Sequence, residues 1–230
     1  MIDQATIEGI IRILFVCIII TAAYVISTRN LLTVVSVYSL QSLTLVSIAL
    51  ALWSLYGSIV LLEIAVITLI SKVIIIPYFI ATIQEKIRIK RDIEFHYLSP
   101  TTSLIISMAL MLAIYLAFTR IMRDFPNATG GLIFFGAVLG ISLMLMGMMV
   151  TFSRKRTITK VLGFLSMENG VLLFGMFVTE LPFIIEFLIV IDLIILVILT
   201  TILSVGIDST LEDYHKRLHR FHLLEGEEES

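Results

Sequence analysis

The sequence predicts an all-α polytopic membrane protein, and three observations predict it. Seven apolar stretches run about 20 residues or more, enough for a helix to cross a ~30 Å hydrocarbon layer. Hydrophobic residues make up 59 % of the chain and mean hydropathy is +1.07, against about 45–50 % apolar residues in soluble domains. Charged residues are held to 15 % and gather in short blocks between the stretches.

The first span, residues 7–27, follows MIDQAT, which offers neither a basic n-region nor an A-x-A cleavage site. It reads as a retained transmembrane helix and not as a signal peptide. The second span, 31–55, and the third, 58–83, are separated only by the turn in SLYGS and should form an antiparallel hairpin. The polar run QEKIRIKRDIEFHYLSP, residues 84–100, is the longest interruption, and the fourth span follows at 100–119. The fifth covers 130–152; the sixth, 157–179, and the seventh, 182–206, form a second hairpin around TELPF. The polar stretch DSTLEDYHKRLHRFHLLEGEEES comes last.

STRNLLTVVSVYSLQSLTL and FSRKRTITKVLGFLSMENGVLL both place basic residues before a helix rich in small polar residues. The match hints at an internal repeat, although chance similarity between two apolar helices explains it equally well. The expected organisation is a first three-helix unit with its basic loop (1–99), a connecting span (100–125), a second three-helix unit (126–207) and a polar tail (208–230). Orientation follows from the Lys/Arg bias. The side holding the C-terminus carries eleven Lys and Arg residues, among them Arg29, Lys86, Arg154 and Lys216, against three (Arg12, Arg120, Arg123) on the other. The N-terminus is therefore expected outside and the C-terminus in the cytoplasm.

Several ionisable side chains interrupt the spans. Lys72 is about fourteen residues, ~21 Å, from the outer end of the third span. Glu168 is ~16 Å into the sixth and Asp192 ~15 Å into the seventh. A charge at such depth costs roughly 2.5–3.5 kcal/mol even on a lenient insertion scale. Groups of both signs at matched depth stabilise one another's charged forms and can share protons, which is what a proton relay requires. Static pairing between helices is the competing explanation. Glu63 and Glu186 lie nearer the outer ends and read as interfacial, and Lys160, one turn into the sixth span, can snorkel. In the second span Ser36, Tyr38, Ser39, Gln41 and Ser42 form a polar patch suited to ordered water or helix bridging. Pro77 frees a backbone carbonyl one turn earlier and should kink the third span close to Lys72.

Other chemistries lack their residues. A net charge of −2 does not recommend nucleic acid as a partner. The lone Cys17 permits no disulfide framework or thiolate metal site. No Walker loop, dinucleotide fingerprint, H-E-x-x-H or C-x-x-C motif occurs. His96, His215, His219 and His222 all sit in polar segments, and the N-A-T sequon at Asn127 has meaning only in a glycosylating pathway. The chain is not expected to catalyse a reaction alone.

Four blocks carry a resemblance: YSLQSLTLVSI (38–48), LISKVIIIP (69–77), VLGFLSMENGVLLF (161–174) and LPFIIEFLIVIDLIILVILTTIL (181–203). Together they resemble the hydrogenase-4 component E family, membrane subunits of complex-I-like nickel–iron hydrogenase and formate hydrogenlyase assemblies. The likeness runs from the first span to STLEDYHKRL. RNLL ahead of a polar helix is also similar to the small three-helix K-type subunit of complex I. The resemblance implies two K-type-like units and a place in the inner membrane of a prokaryote. Its partners would be large antiporter-like subunits, a membrane-anchor subunit, hydrophilic hydrogenase subunits and lipid. Nickel–iron and iron–sulfur centres would belong to those partners, with no cofactor bound by this chain. It also implies relay roles for Lys72, Glu168 and Asp192, with Gln41 and Glu186 as further candidates. One departure is plain: the K-type pattern has an acidic residue in the second span, where this chain has Ser39 and Gln41, so the first unit's proton site is weakened or moved to Lys72. A purely structural subunit of the same complex and a stand-alone secondary transporter are the rival expectations.

Overall fold

The computed structural model describes residues 3–28, 30–87, 98–122, 131–154, 157–178 and 189–201. Among the described residues the regular elements are all helical. They are α1 (Gln4–Ser27), α2 (Leu31–Tyr56), α3 (Ile59–Thr68), a π-helical segment (Leu69–Ile75), α4 (Ile76–Ile87), α5 (Pro100–Ile121), α6 (Leu132–Ser153), α7 (Thr157–Val178) and α8 (Ile189–Thr201). The π segment joins α3 to α4 without a break, and Ile59–Ile83 counts as one span. Among the described residues, six helices are then long and apolar enough to cross a membrane. The chain is an all-α polytopic membrane protein. The seventh expected span contributes α8, and the rest of that stretch, with the TELPF turn, Glu186 and the polar tail, lies outside the described residues.

Helix boundaries fall where the sequence supplies stop and start signals. Asn30 caps α2 by accepting a hydrogen bond from the Leu32 N–H at 3.2 Å, satisfying a donor that the first turn leaves unpaired. Ser99 does the same for α5, accepting from the Thr102 N–H at 3.1 Å, with Pro100 in the first turn. Gly57 ends α2 in the left-handed region (φ +66°), where a side chain would be strained. Ser58 alone then separates it from α3, which produces the tight hairpin expected from SLYGS.

The closest pairing is α6 on α7. A Cβ added at Gly140 would lie 2.5 Å from the Phe174 backbone nitrogen, and one at Gly163 would lie 2.6 Å from that of Thr151. Gly147 and Gly170 face the opposing backbone still more closely, at Met167 and Met144. In lipid, where apolar side chains gain little by leaving the solvent, such backbone approach is a principal source of helix–helix attraction. Beside this pair, α1 packs on α2 and α6, while α2 also meets α3, the π segment and α7. An edge-to-face pair, Phe15 with Phe177 at 5.6 Å between centroids, locks α1 to α7. Helix α5 lies against α6 and α1 but is almost wholly unburied. Large apolar side chains such as Ile13, Ile59, Tyr78 and Leu193 are exposed on the bundle surface, as a lipid-facing surface requires.

Arg154 has an unexpected place. The sequence counts it among loop cations, yet it is buried. Its Nη2 donates to the carbonyl oxygens of Val25 (3.1 Å), Ile26 (3.3 Å) and Thr28 (2.6 Å). These are among the carbonyls that the last turn of α1 leaves without helical partners, at the negative end of the helix dipole. The charge bias survives without Arg154, but this residue is a latch between helix ends.

Candidate functional site

Pro77 shapes the helix that carries Lys72. Proline lacks an N–H and its ring clashes with the carbonyl four residues back, here Val73. The chain answers with the π segment, in which the Ile76 N–H bonds the Ser71 carbonyl, five residues back. The wider turn also serves packing. Thr68, Lys72, Ile76 and Ile80 are buried at intervals of four, a spacing that drifts by ~40° per step on a 3.6-residue helix. The π segment takes up that drift and holds all four toward the bundle interior. The expected kink is thus a local widening, and Lys72 sits inside it.

Helix α2 presents Tyr38, Gln41 and Ser42 on one buried stripe, three and four residues apart. Ser36 and Ser39 leave the expected patch: their hydroxyls bond their own helix at Leu32 O and Val35 O. Helix α7 faces this stripe with Ser166, Glu168 and Asn169, all buried. Helix α8 adds Asp192, on a buried stripe with Ile195 and Leu199.

The side chains meet inside the bundle. Lys72 Nζ is 2.8 Å from Glu168 Oε1, with the two side chains 0 % and 2 % exposed. The ammonium also donates to Asn169 Oδ1 at 3.4 Å. Asn169 Nδ2 donates in turn to Gln41 Oε1 (3.2 Å) and Ser42 Oγ (3.1 Å), and Ser166 Oγ donates to Gln41 Oε1 at 3.1 Å. Asp192, 5 % exposed, is close enough to interact with Glu168 and Tyr38. Beyond the ion pair, no well-directed hydrogen bond among the described residues reaches either carboxylate of Glu168 or Asp192. The Tyr38 hydroxyl, Thr68 Oγ1 and Gln41 Nε2 are likewise buried without one. Buried polar atoms are rarely left so, and this concentration marks a site suited to water or mobile protons.

Lys72, Glu168, Asp192 and Gln41 are thus brought together, while Glu186 lies outside the described residues. Glu63 is exposed on α3 and Lys160 half-buried on α7, neither in the cluster. Gln41 is a hub of fixed hydrogen bonds and not a titrating member. Neither Asn169 nor Ser166 titrates, so counting the depth of charges does not find them, yet Asn169 is the bridge between Lys72 and α2. A signal existed: S-L-Q-S at 39–42 and S-M-E-N at 166–169 share a pattern, and the two segments face each other across α2 and α7. Among the described residues no group of three His, Cys, Asp or Glu side chains is placed to hold a metal ion.

No family model matches this chain, and no curated protein or solved structure does so either. The site must be read from its own chemistry.

Proposed function

We propose that this chain is a membrane-arm subunit of a complex-I-like assembly, moving protons or sodium ions in step with redox chemistry in partner subunits. The observation that carries the reading is the buried Lys72–Glu168 pair with Asp192 beside it. Two carboxylates face one ammonium, so the cluster is one positive charge short. In a low-dielectric interior two neighbouring carboxyl groups do not both stay ionised without compensation. A single proton shared between Glu168 and Asp192 would supply the missing charge and join the two carboxyls by a hydrogen bond. When a neighbouring subunit changes charge, the Lys72 ammonium releases a proton toward it and the neutral amine is reprotonated from the Asp192–Glu168 pair, Lys72 swinging between Glu168 and the Asn169 carbonyl. The family resemblance of the sequence supplies the rest of the proposal. Antiporter-like subunits flank the chain, and the anchor and hydrophilic hydrogenase subunits hold the nickel–iron and iron–sulfur centres. The setting is a prokaryotic cytoplasmic membrane, with the N-terminus outside.

The test is the triple variant K72M/E168Q/D192N in membranes containing the whole assembly. The expected result is continued hydrogen turnover with loss of membrane-potential generation; wild-type pumping overturns the proposal. One observation favours a static reading: Gln41, Ser42, Ser166 and Asn169 carry no titratable proton and are firmly bonded. If the cluster only glues helices, the triple variant loses assembly of the complex before it loses coupling.

A further inference from the structure

Two adjoining cavities share one side chain, Arg12. The larger, of about 510 Å3, lies between α1, α5 and α6 and is lined by Phe15, Val16, Ile19, Met108 and Leu139, with Arg12 at its end. The smaller, of about 440 Å3, lies at the end of the bundle where α1 and α6 begin and α2, α5 and α7 finish. Glu8, Arg12 and Tyr56 give it polar character. Around Arg12 the surface of α1 is apolar, with Ile10, Ile13, Val16 and Ile20 exposed. Among the described residues Arg12 has no ion-pair partner, the Lys72–Glu168 contact being the one ion pair seen. Glu8 is half-buried one turn away and takes a hydrogen bond from Gln4 at 3.3 Å.

Along the bundle axis the order is therefore a chamber with both charge signs on a largely apolar wall, a shared guanidinium, and an apolar slot. From Arg12 to Ile19 the slot follows α1 for about two turns, ~10 Å. That order is the order of an amphiphile. We propose that the two cavities hold one zwitterionic aminophospholipid. Its phosphate lies on Arg12, whose planar fork suits phosphate oxygens. Its ammonium lies on Glu8, ~6 Å along the helix, and an acyl chain fills the slot. Charge complementarity selects this headgroup over an anionic one such as phosphatidylglycerol, whose neutral glycerol would leave Glu8 without a counter-charge. The lipid also explains how α5, almost wholly unburied by protein, is held to α1 and α6: the chain fills the wedge between them. The site is separate from the Lys72 cluster and does not depend on its role.

Native mass spectrometry of the full chain, purified in mild detergent and offered equimolar phosphatidylethanolamine and phosphatidylglycerol, tests this. The wild type should retain phosphatidylethanolamine selectively. Arg12→Gln should lower retention at least tenfold, and Glu8→Gln should shift the preference toward phosphatidylglycerol. Val16→Trp, which leaves both charges in place and blocks the slot, should also release the lipid, with circular dichroism confirming wild-type helicity in each variant. Arg120→Gln, at the same end but outside both cavities, should have no effect. Equal lipid loss in the Arg12 and Arg120 variants, unchanged retention in Arg12→Gln, or a wild-type preference for phosphatidylglycerol overturns the proposal.

Discussion

Replacing Lys72 by Met probes the cluster without adding a new polar group. Lys72 and Glu168 are both essentially inaccessible, 2.8 Å apart. Removing one member of such a pair leaves an uncompensated buried charge, which costs ~3–5 kcal/mol. Removing both by neutral side chains of similar volume costs far less. The structure also orders the single variants. K72M strands two carboxylates together and should be the worst. E168Q keeps the Asn169 acceptor for Lys72 and leaves one carboxylate, on Asp192, in the cluster, and should be milder. D192N leaves a charge-balanced pair and should be mildest. Reversible unfolding of the full chain in mixed micelles, run as a double-mutant cycle over K72M and E168Q, gives the interaction directly. A coupling energy toward the upper end of the ~0.5–3 kcal/mol range for contacting residues is expected. Additive effects, or K72M within ~0.5 kcal/mol of the wild type, would refute the claim that these groups share one buried site.

Gly140→Leu should separate α6 from α7, since its Cβ alone would meet the Phe174 backbone at 2.5 Å. A loss of several kcal/mol, or failure to fold, is the expected outcome, whereas Gly9→Ala, with open space around it, should be neutral or up to ~1 kcal/mol stabilising by helix propensity; thermal unfolding compares them. Arg154→Met should strip the donor from three carbonyls at the end of α1. It should cost ~1.5–3 kcal/mol and raise protease sensitivity between residues 25 and 31, with Arg154→Lys recovering part of the loss. Pro77→Ala removes the clash that calls for the π segment. A regular helix there should turn Lys72 out of line and abolish the K72M/E168Q coupling, which a repeat of the cycle in that background measures.

Much of the fold was legible because lipid imposes a simple rule. A span needs length and apolarity, and the Asn30, Gly57 and Ser99 boundaries are written in local chemistry. Depth counting also found Lys72, Glu168 and Asp192, because matched depth on adjacent helices already limits which charges can meet. Side-chain direction was harder to read. Ser36 and Ser39 stand in the same patch as Gln41 but turn to their own backbone, and only rotation about the helix axis separates them. Asn169 was invisible to a search for titrating groups. Arg154 does lie between α6 and α7, but its burial is not legible because its partners are carbonyls, which no side-chain pattern encodes. The π segment shows in hindsight as a four-residue burial rhythm ahead of Pro77.

Arg154 ties an early helix to residues made much later. While the middle of the chain is still being synthesised, the last carbonyls of α1 lack this donor, and they gain it only once α6 and Arg154 have been made. A chain cut short before residue 154 would keep that end unsealed, presenting quality-control proteases with a handle that the finished protein hides.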